Sequence, residues 1–297
     1  MPLLYYWRGD NYYRDLDMGT GYHLNQANSL LHKIDLGDSL WAFTRRHDGM
    51  YVLAAELVIK AKTINPPNFR YGKYRVWGDI NYSRYFRIDD QPSIENVIRS
   101  LSCKANARIL GQSFQGLSAV KLISQKDSEV LKILAKELPI EPRAHILSED
   151  KLEAMLLLGD HKAVKNLVQE EKPGIAEVRR NYLYKQAPTR NKSLVEKLQN
   201  FYLGKCQICQ WDPIRDYGKQ LCQGHHILWL SRGGVDEIDN MVLVCPNHHS
   251  AIHRLDAPLD FNDLSFDFGT HRETLKLKKS SGLEIQNGAK CTTHVPN

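Results

Sequence analysis

The stretches CQIC at 206–209, GHHILWLSRGGVDEIDN at 224–240 and CPNHHSAIH at 245–253 decide how this chain is read. Cys206 and Cys209 form a Cys-x-x-Cys knuckle, and Cys245 and His248 repeat its spacing. Four such donors suit a closed tetrahedral Cys₃His zinc site of the structural type. His249 and His253 lie four apart, so on a helix they share one face and both imidazoles reach one ion. A third ligand must come from outside that helix, from His225 or His226. Three protein ligands leave positions open for water and phosphate, as a catalytic ion requires. His225-His226 reads as a short strand, whose adjacent side chains point to opposite faces. One can bind the ion, and the other can face the reacting group if the strand end twists. A purely structural zinc module has no need of His226, Asn240, His249 and His253 beside the knuckle.

The full pattern is C-x-x-C, then HHI, S-x-GG-x-D, Asn, and L-x-C-P-N-x-H-x-x-x-H. It resembles HNH (ββα-metal) endonucleases of the zinc-knuckle type, including those of methyl-directed restriction enzymes. The resemblance implies His225, His249 and His253 as ligands of a catalytic divalent ion, with His226 as the general base. It implies that Asn240 orients His226 through a hydrogen bond. Cys206, Cys209, Cys245 and His248 become the structural zinc set. Many such enzymes carry Cys where this chain has His248, and zinc accepts Cys₃His. Spacing separates the neighbours: His249 lies four before His253, whereas His248 lies five before it. A three-histidine set does not choose among Mg²⁺, Mn²⁺, Ni²⁺ and Zn²⁺. The implied products carry 5′-phosphate and 3′-hydroxyl ends. One such site cuts one strand, so a double-strand break requires a homodimer or two nicks.

Charge and cysteine usage fit this reading. Four of the six cysteines fall in the same window as the histidines, which in a cytosolic chain favours metal over disulfides. Cys222 reads as a buried small hydrophobe, and Cys103 and Cys291 as structural or incidental. The net charge of +6 is mild. The run from Glu177 to Lys205, however, gathers Arg179, Arg180, Lys185, Arg190, Lys192, Lys197 and Lys205, which suits a phosphate backbone lying across it. Arg190, Lys192 and Arg232 are the candidate phosphate contacts, and Gly233-Gly234 permits a tight loop. No apolar run approaches the roughly 18 residues of a membrane span, and the first residues lack signal-peptide character. A cytoplasmic protein without membrane association is expected.

The predicted fold class is α+β, in four parts: 1–135, a helical basic linker over 136–188, the nuclease domain over 189–275 and a tail over 276–297. The first hundred residues read as β-rich. Strands at 39–44 and 51–59 form a hairpin, and an aromatic strand at 75–88 breaks at Gly78-Asp79. Helices follow at 93–101, at 127–138 with Ser128 as N-cap, at 148–170 with a break near Gly159-Asp160, and at 193–202. Residues 1–135 resemble PUA-like β-barrels of the EVE type, through Tyr5-Tyr6-Trp7, the 19–26 turn and the strand entered at Leu36-Gly37-Asp38. That resemblance implies a pocket that stacks a flipped base and reads its edge. Trp7, Tyr22 and Trp41 would be its walls, and Asn25, Gln26 and Asp79 its polar readers. The reading as a whole is a restriction endonuclease acting on double-stranded DNA that carries 5-methyl- or 5-hydroxymethylcytosine. The alternatives are an N-terminal domain that binds RNA or protein, and a non-catalytic zinc-dependent nucleic-acid binder.

Overall fold

Aromatic and β-branched runs separated by Gly/Asp turns build the first half of the molecule. A computed structural model describes residues 1–19, 21–158, 161–170 and 192–278. In chain order the elements are β1 (Leu3–Trp7), α1 (Gly9–Met18), β2 (His23–Gln26), β3 (Ser39–Arg45), β4 (Tyr51–Ile64), β5 (Tyr74–Gly78), β6 (Arg84–Tyr85), α2 (Glu95–Ser100), β7 (Val120–Leu122) and α3 (Gln125–Ala135). The strands form one sheet in the order β2-β5-β4-β3-β1-β7, with β6 paired to β4. The expected hairpin is β3–β4, with Ser39 opposite Val58 and Arg45 opposite Tyr51. Its turn uses Gly49 at φ +91°, a backbone that residues with a Cβ rarely adopt.

β1 runs parallel to β3 with Leu4 opposite Trp41. Leu4, Trp41, Phe43, Leu53 and Phe86 share one core with Leu131 and Ala135 of α3. Tyr12, Leu16, Val52, Ala54 and Ile88 form another, against which Trp7 packs. Each fully buried large side chain contributes roughly 1.5–3 kcal/mol. α3 starts earlier than its apolar spacing suggests, because its first turn, Gln125-Lys126-Asp127, is polar. The cap is Ser124, not Ser128: Ser124 Oγ accepts from Asp127 N at 3.1 Å, and Asp127 Oδ2 accepts from Ser124 N at 2.9 Å. Ser128 is instead buried, its hydroxyl accepting from Trp41 Nε1 at 2.9 Å.

The chain divides into two compact units, the first holding these elements to His145 and the second holding Thr63–Arg70 and the chain from Ile146. The second contains α4 (Glu149–Leu158), α5 (His161–Glu170), α6 (Lys192–Phe201), α7 (Pro213–Tyr217), β8 (Gln223–His226), β9 (Met241–Val244), α8 (Pro246–Leu255), β10 (Leu259–Asp260), β11 (Ser265–Asp267) and β12 (Arg272–Thr274). β8 and β9 pair antiparallel, and α8 follows directly. Val195 and Leu198 of α6, Val242 to Val244 of β9, Ile252 of α8 and Phe266 of β11 pack together around them. Cys222 lies in this core and Cys103 in that of the first unit, both as small buried side chains. Gly159-Asp160, most of the basic run including Arg190, and the tail with Cys291 lie outside the described residues. Among the described residues no helix is long and apolar enough to cross a membrane.

Candidate active site

β8 carries two adjacent histidines into a fully buried position, which is costly for polar rings unless each finds partners. α8 supplies some of them. Cys245 caps this helix, its Sγ accepting from His248 N at 3.5 Å, and Pro246 sets the first turn. His249 and His253 then fall one turn apart with ring centroids separated by 4.5 Å. His225 Nδ1 lies 3.2 Å from His253 Nε2. A further partner is Glu153 of α4. Its Oε2 lies 2.9 Å from His249 Nε2, 3.2 Å from His253 Nε2 and 3.9 Å from His225 Nδ1. Its Oε1 lies 2.7 Å from His226 Nδ1 and accepts from His226 N at 3.2 Å.

These donors fit an ion. Ligands about 2.0–2.1 Å from a tetrahedral divalent metal lie roughly 3.3–3.5 Å apart, and the observed spacings of 2.9, 3.2, 3.2 and 3.9 Å bracket that value. Burial pushes His225 well below the usual histidine range, toward the neutral form that binds metal. Burial opposes the Glu153 charge, yet hydrogen bonds from His226, His249 and His253 hold its carboxyl well below the usual range. Burial also opposes charge on His253, but the Glu153 carboxylate overrides it and raises that histidine.

A second cluster lies at the start of the same helix. His248 Nδ1 is 3.1 Å from Cys245 Sγ and 3.5 Å from Cys206 Sγ, and Cys209 Sγ is 4.0 Å from Cys245 Sγ. Tetrahedral sulfur ligands about 2.3 Å from a metal have similar separations, so this Cys₃His set could hold an ion. The thiols are coupled: the hydrogen bond between them, with burial, pushes Cys206 up to about 12, while the same bond lowers Cys245. His248 Nε2 reaches Glu273 Oε2 at 2.8 Å, an outer partner that fixes the ring with Nδ1 toward the sulfurs.

His248 and His249 each lie in a separate donor cluster. Asn240 behaves differently from its expected role. Its side chain accepts from Leu228 N at 2.8 Å and donates to Leu228 O at 2.9 Å and to Val235 O at 2.8 Å. It thus ties down the 228–235 loop, while the ring nitrogens of His226 meet Glu153 and, at 2.8 Å, Asp236. Asp236 was visible in the S-x-GG-x-D motif but had no assigned part. Gly234 serves the same loop, since a Cβ there would lie 1.9 Å from Leu228 O. Arg232 does not present a free charge to phosphate. It is buried, pairs with Asp256 at 2.8 Å and lies over the Trp229 ring. Lys192 begins α6. Glu149 and Glu153 gave no signal in the sequence beyond two acidic residues in a helix.

The proposed base-pocket residues do not all come together: Trp7 and Tyr22 both pack on Tyr85, whereas Trp41 lies in the other core. Leu4 and Trp41 share a face, whereas Trp7, three residues beyond Leu4, points to the other. Trp41 fills the core against Ser128. Trp7 donates to Asp15 at 3.1 Å and packs on Tyr12 and Tyr85. Tyr22 packs on Tyr85 and bonds Ala144 O at 3.2 Å. Asn25 accepts from Arg75 Nε at 2.6 Å, Gln26 ends β2 opposite Tyr74, and Asp79 caps a turn by accepting from Asn81 N at 2.8 Å.

A 75-residue stretch is 25% identical to Anaredoxin of Nostoc sp. (strain PCC 7120 / SAG 25.82 / UTEX 2576), covering 25% of this chain and 91% of that protein. Among solved structures, the Type IV phosphorothioation-dependent restriction endonuclease ScoMcrA is similar at 16% identity, with a TM-score of 0.19, over 78% of this chain and 45% of that one. This chain therefore spans less than half the length of that structure. Residues 206–255 match the HNH endonuclease family, and the chain carries an HNH endonuclease domain there.

Proposed function

We propose that this chain is a metal-dependent DNA endonuclease whose HNH domain hydrolyses phosphodiester bonds and whose first unit selects DNA by a modified base. The observation that carries the first half is the convergence of His225, His249 and His253 on one point, with His226 Nδ1 beside it. A divalent ion held by the three histidines supplies Lewis acidity toward the phosphate. Asp236, on Nε2, holds the His226 ring so that Nδ1 faces the reaction and takes the proton of the attacking water. Asn240 acts one step further out, by fixing the loop that carries Asp236. The Cys₃His cluster is read as a zinc knuckle that holds the fold. His226→Ala with added Mg²⁺ or Mn²⁺ is the test. Cleavage unchanged by that substitution overturns the catalytic assignment of His226, and no cleavage by the unsubstituted chain leaves a non-catalytic binder as the better reading.

The recognition half rests on the PUA-like resemblance of residues 1–135 and on one groove. It has a volume of about 510 Å³ and is lined by Glu56, Val58, Tyr82, Arg84, Lys132, Ile133 and Lys136. Tyr82 is 69% exposed, and Arg84 pairs with buried Glu56 at 2.6 Å. An exposed ring beside a fixed polar pair suits stacking and edge reading of a modified cytosine, with Lys132 and Lys136 toward phosphate. Matched plasmids carrying unmodified, methylated, hydroxymethylated or glucosylated cytosine test it. Equal cutting of all four would sink the modified-base reading.

A further inference from the structure

The nuclease reading uses the histidines and Asp236 but leaves Glu149 and Glu153 without a task. They lie one turn apart on α4, 3% and 1% exposed. Buried carboxylates are costly unless fully partnered, and the HNH domain partners both. Glu149 accepts from Leu230 N at 2.7 Å and Ser231 N at 2.8 Å. Glu153 places one oxygen among the three ligand nitrogens and the other on Nδ1 of His226.

A phosphodiester in this site has two requirements. It must offer an oxygen to the ion, and a water must sit on the His226 nitrogen that faces the reaction. Glu153 holds both places at once. Three histidines make an open site, but three histidines and Glu153 make a four-donor set, which in tetrahedral geometry is closed. The base is capped too, with Asp236 on Nε2 and Glu153 on Nδ1.

Resting on the nuclease reading, we propose that Glu153 is a displaceable fourth ligand: α4 closes the ion site and the base, and a DNA phosphate replaces the carboxylate before cutting. A carboxylate and a phosphodiester each carry one negative charge, so the exchange leaves the charge of the site unchanged. Glu149 holds α4 to the loop at 230–231 and sets how readily the exchange occurs.

The test uses the whole 297-residue chain carrying one zinc per chain and Mn²⁺ as the probe, because the thiolate cluster holds zinc in preference and the histidine–carboxylate site accepts manganese. Mn²⁺ affinity is measured by calorimetry, and plasmid cleavage at saturating Mn²⁺. Glu153→Gln is expected to weaken Mn²⁺ binding by roughly 10–100-fold, since loss of even an outer partner of a metal site costs that much. It is also expected to cut faster than wild type once saturated. Glu149→Gln should cut faster too, with a smaller loss of affinity. Unchanged Mn²⁺ affinity in E153Q overturns the ligand assignment. Lost affinity with slower cutting at saturation makes Glu153 a permanent ligand and overturns the displacement. If E153Q fails to fold, E149Q decides: cleavage no faster than wild type overturns the proposal. An E153Q/H226A double variant that cuts as fast as E153Q defeats the His226 assignment of the nuclease reading instead, and the calorimetry still judges Glu153.

Discussion

Two four-donor clusters share helix α8 and take adjacent residues from it, His248 for one and His249 for the other. They differ in where the fourth donor originates. Cys206, Cys209, Cys245 and His248 all lie within the segment that matches the HNH family. The second cluster takes His225, His249 and His253 from that segment and Glu153 from outside it. Three thiolates and an imidazole suit zinc and exchange poorly, whereas an oxygen ligand among imidazoles is readily replaced by another anion. Sequence-local, sulfur-rich donors make a fold element, and a donor brought from a separate helix makes a site that can open.

The sharpest way to break this comparison is to remove one donor from each cluster. A structural zinc site contributes about 10–16 kcal/mol, as much as or more than the ~5–15 kcal/mol that holds a typical domain together. Cys206→Ser is therefore expected to cost bound zinc and the folding of the second unit, seen as lost metal content and a lost cooperative melt. His249→Ala is expected to keep that melt and lose cleavage. A folded, zinc-replete C206S protein would contradict the structural reading of the knuckle.

The next effect lies at the base. His226→Ala should lower the single-turnover cleavage rate by roughly 10²–10⁴-fold with little change in Mn²⁺ affinity. Asn240→Ala and Asp236→Asn then separate two routes of support. Asn240 satisfies Leu228 N and two carbonyls, so its loss should cost about 1–3 kcal/mol for the buried donor left behind. Asp236→Asn should cost rate rather than stability, because it changes the partner of His226 Nε2. A D236N protein with the wild-type rate would return the orienting role to Asn240.

The contrast also explains what the sequence made legible. The knuckle, the histidine pair on β8 and the i, i+4 pair on α8 depend on spacing within single elements, and spacing can be read directly. The β3–β4 hairpin was legible for the same reason, from two apolar runs separated by the turn at Asp48-Gly49. Glu153 was not, because its partners, from His225 to His253, lie far along the chain, the last of them 100 residues away, and no local pattern marks a helix that reaches them. Asn240 was misplaced because a motif fixes that a residue is present but not which atoms it bonds. Trp7 and Trp41 failed as a pair because facing depends on strand register, and the parallel pairing of β1 with β3 was not visible in either segment alone.

The smallest expected effect lies in the first unit, away from both clusters, and sharpens the comparison by showing what an ordinary capped helix end does. Burial opposes charge on Asp127, yet hydrogen bonds from Ser102 and Ser124 hold its carboxyl below the usual range. A depressed carboxylate adds stability that is present above the unfolded value of about 3.9 and is lost as pH falls through the folded value. Ser124→Ala removes the cap and should cost about 1 kcal/mol at neutral pH. The cost should shrink as pH falls through the folded value, where protonated Asp127 no longer draws on the Ser124 hydroxyl as a charged group. Urea melts of wild type and S124A at neutral pH and below that value measure it, with cleavage at neutral pH expected to match wild type. An equal cost at both pH values would show that the hydroxyl alone carries the cap. The carboxylate of Asp127 would then have no part in it, in contrast to Glu153, whose charge the whole histidine cluster is built around.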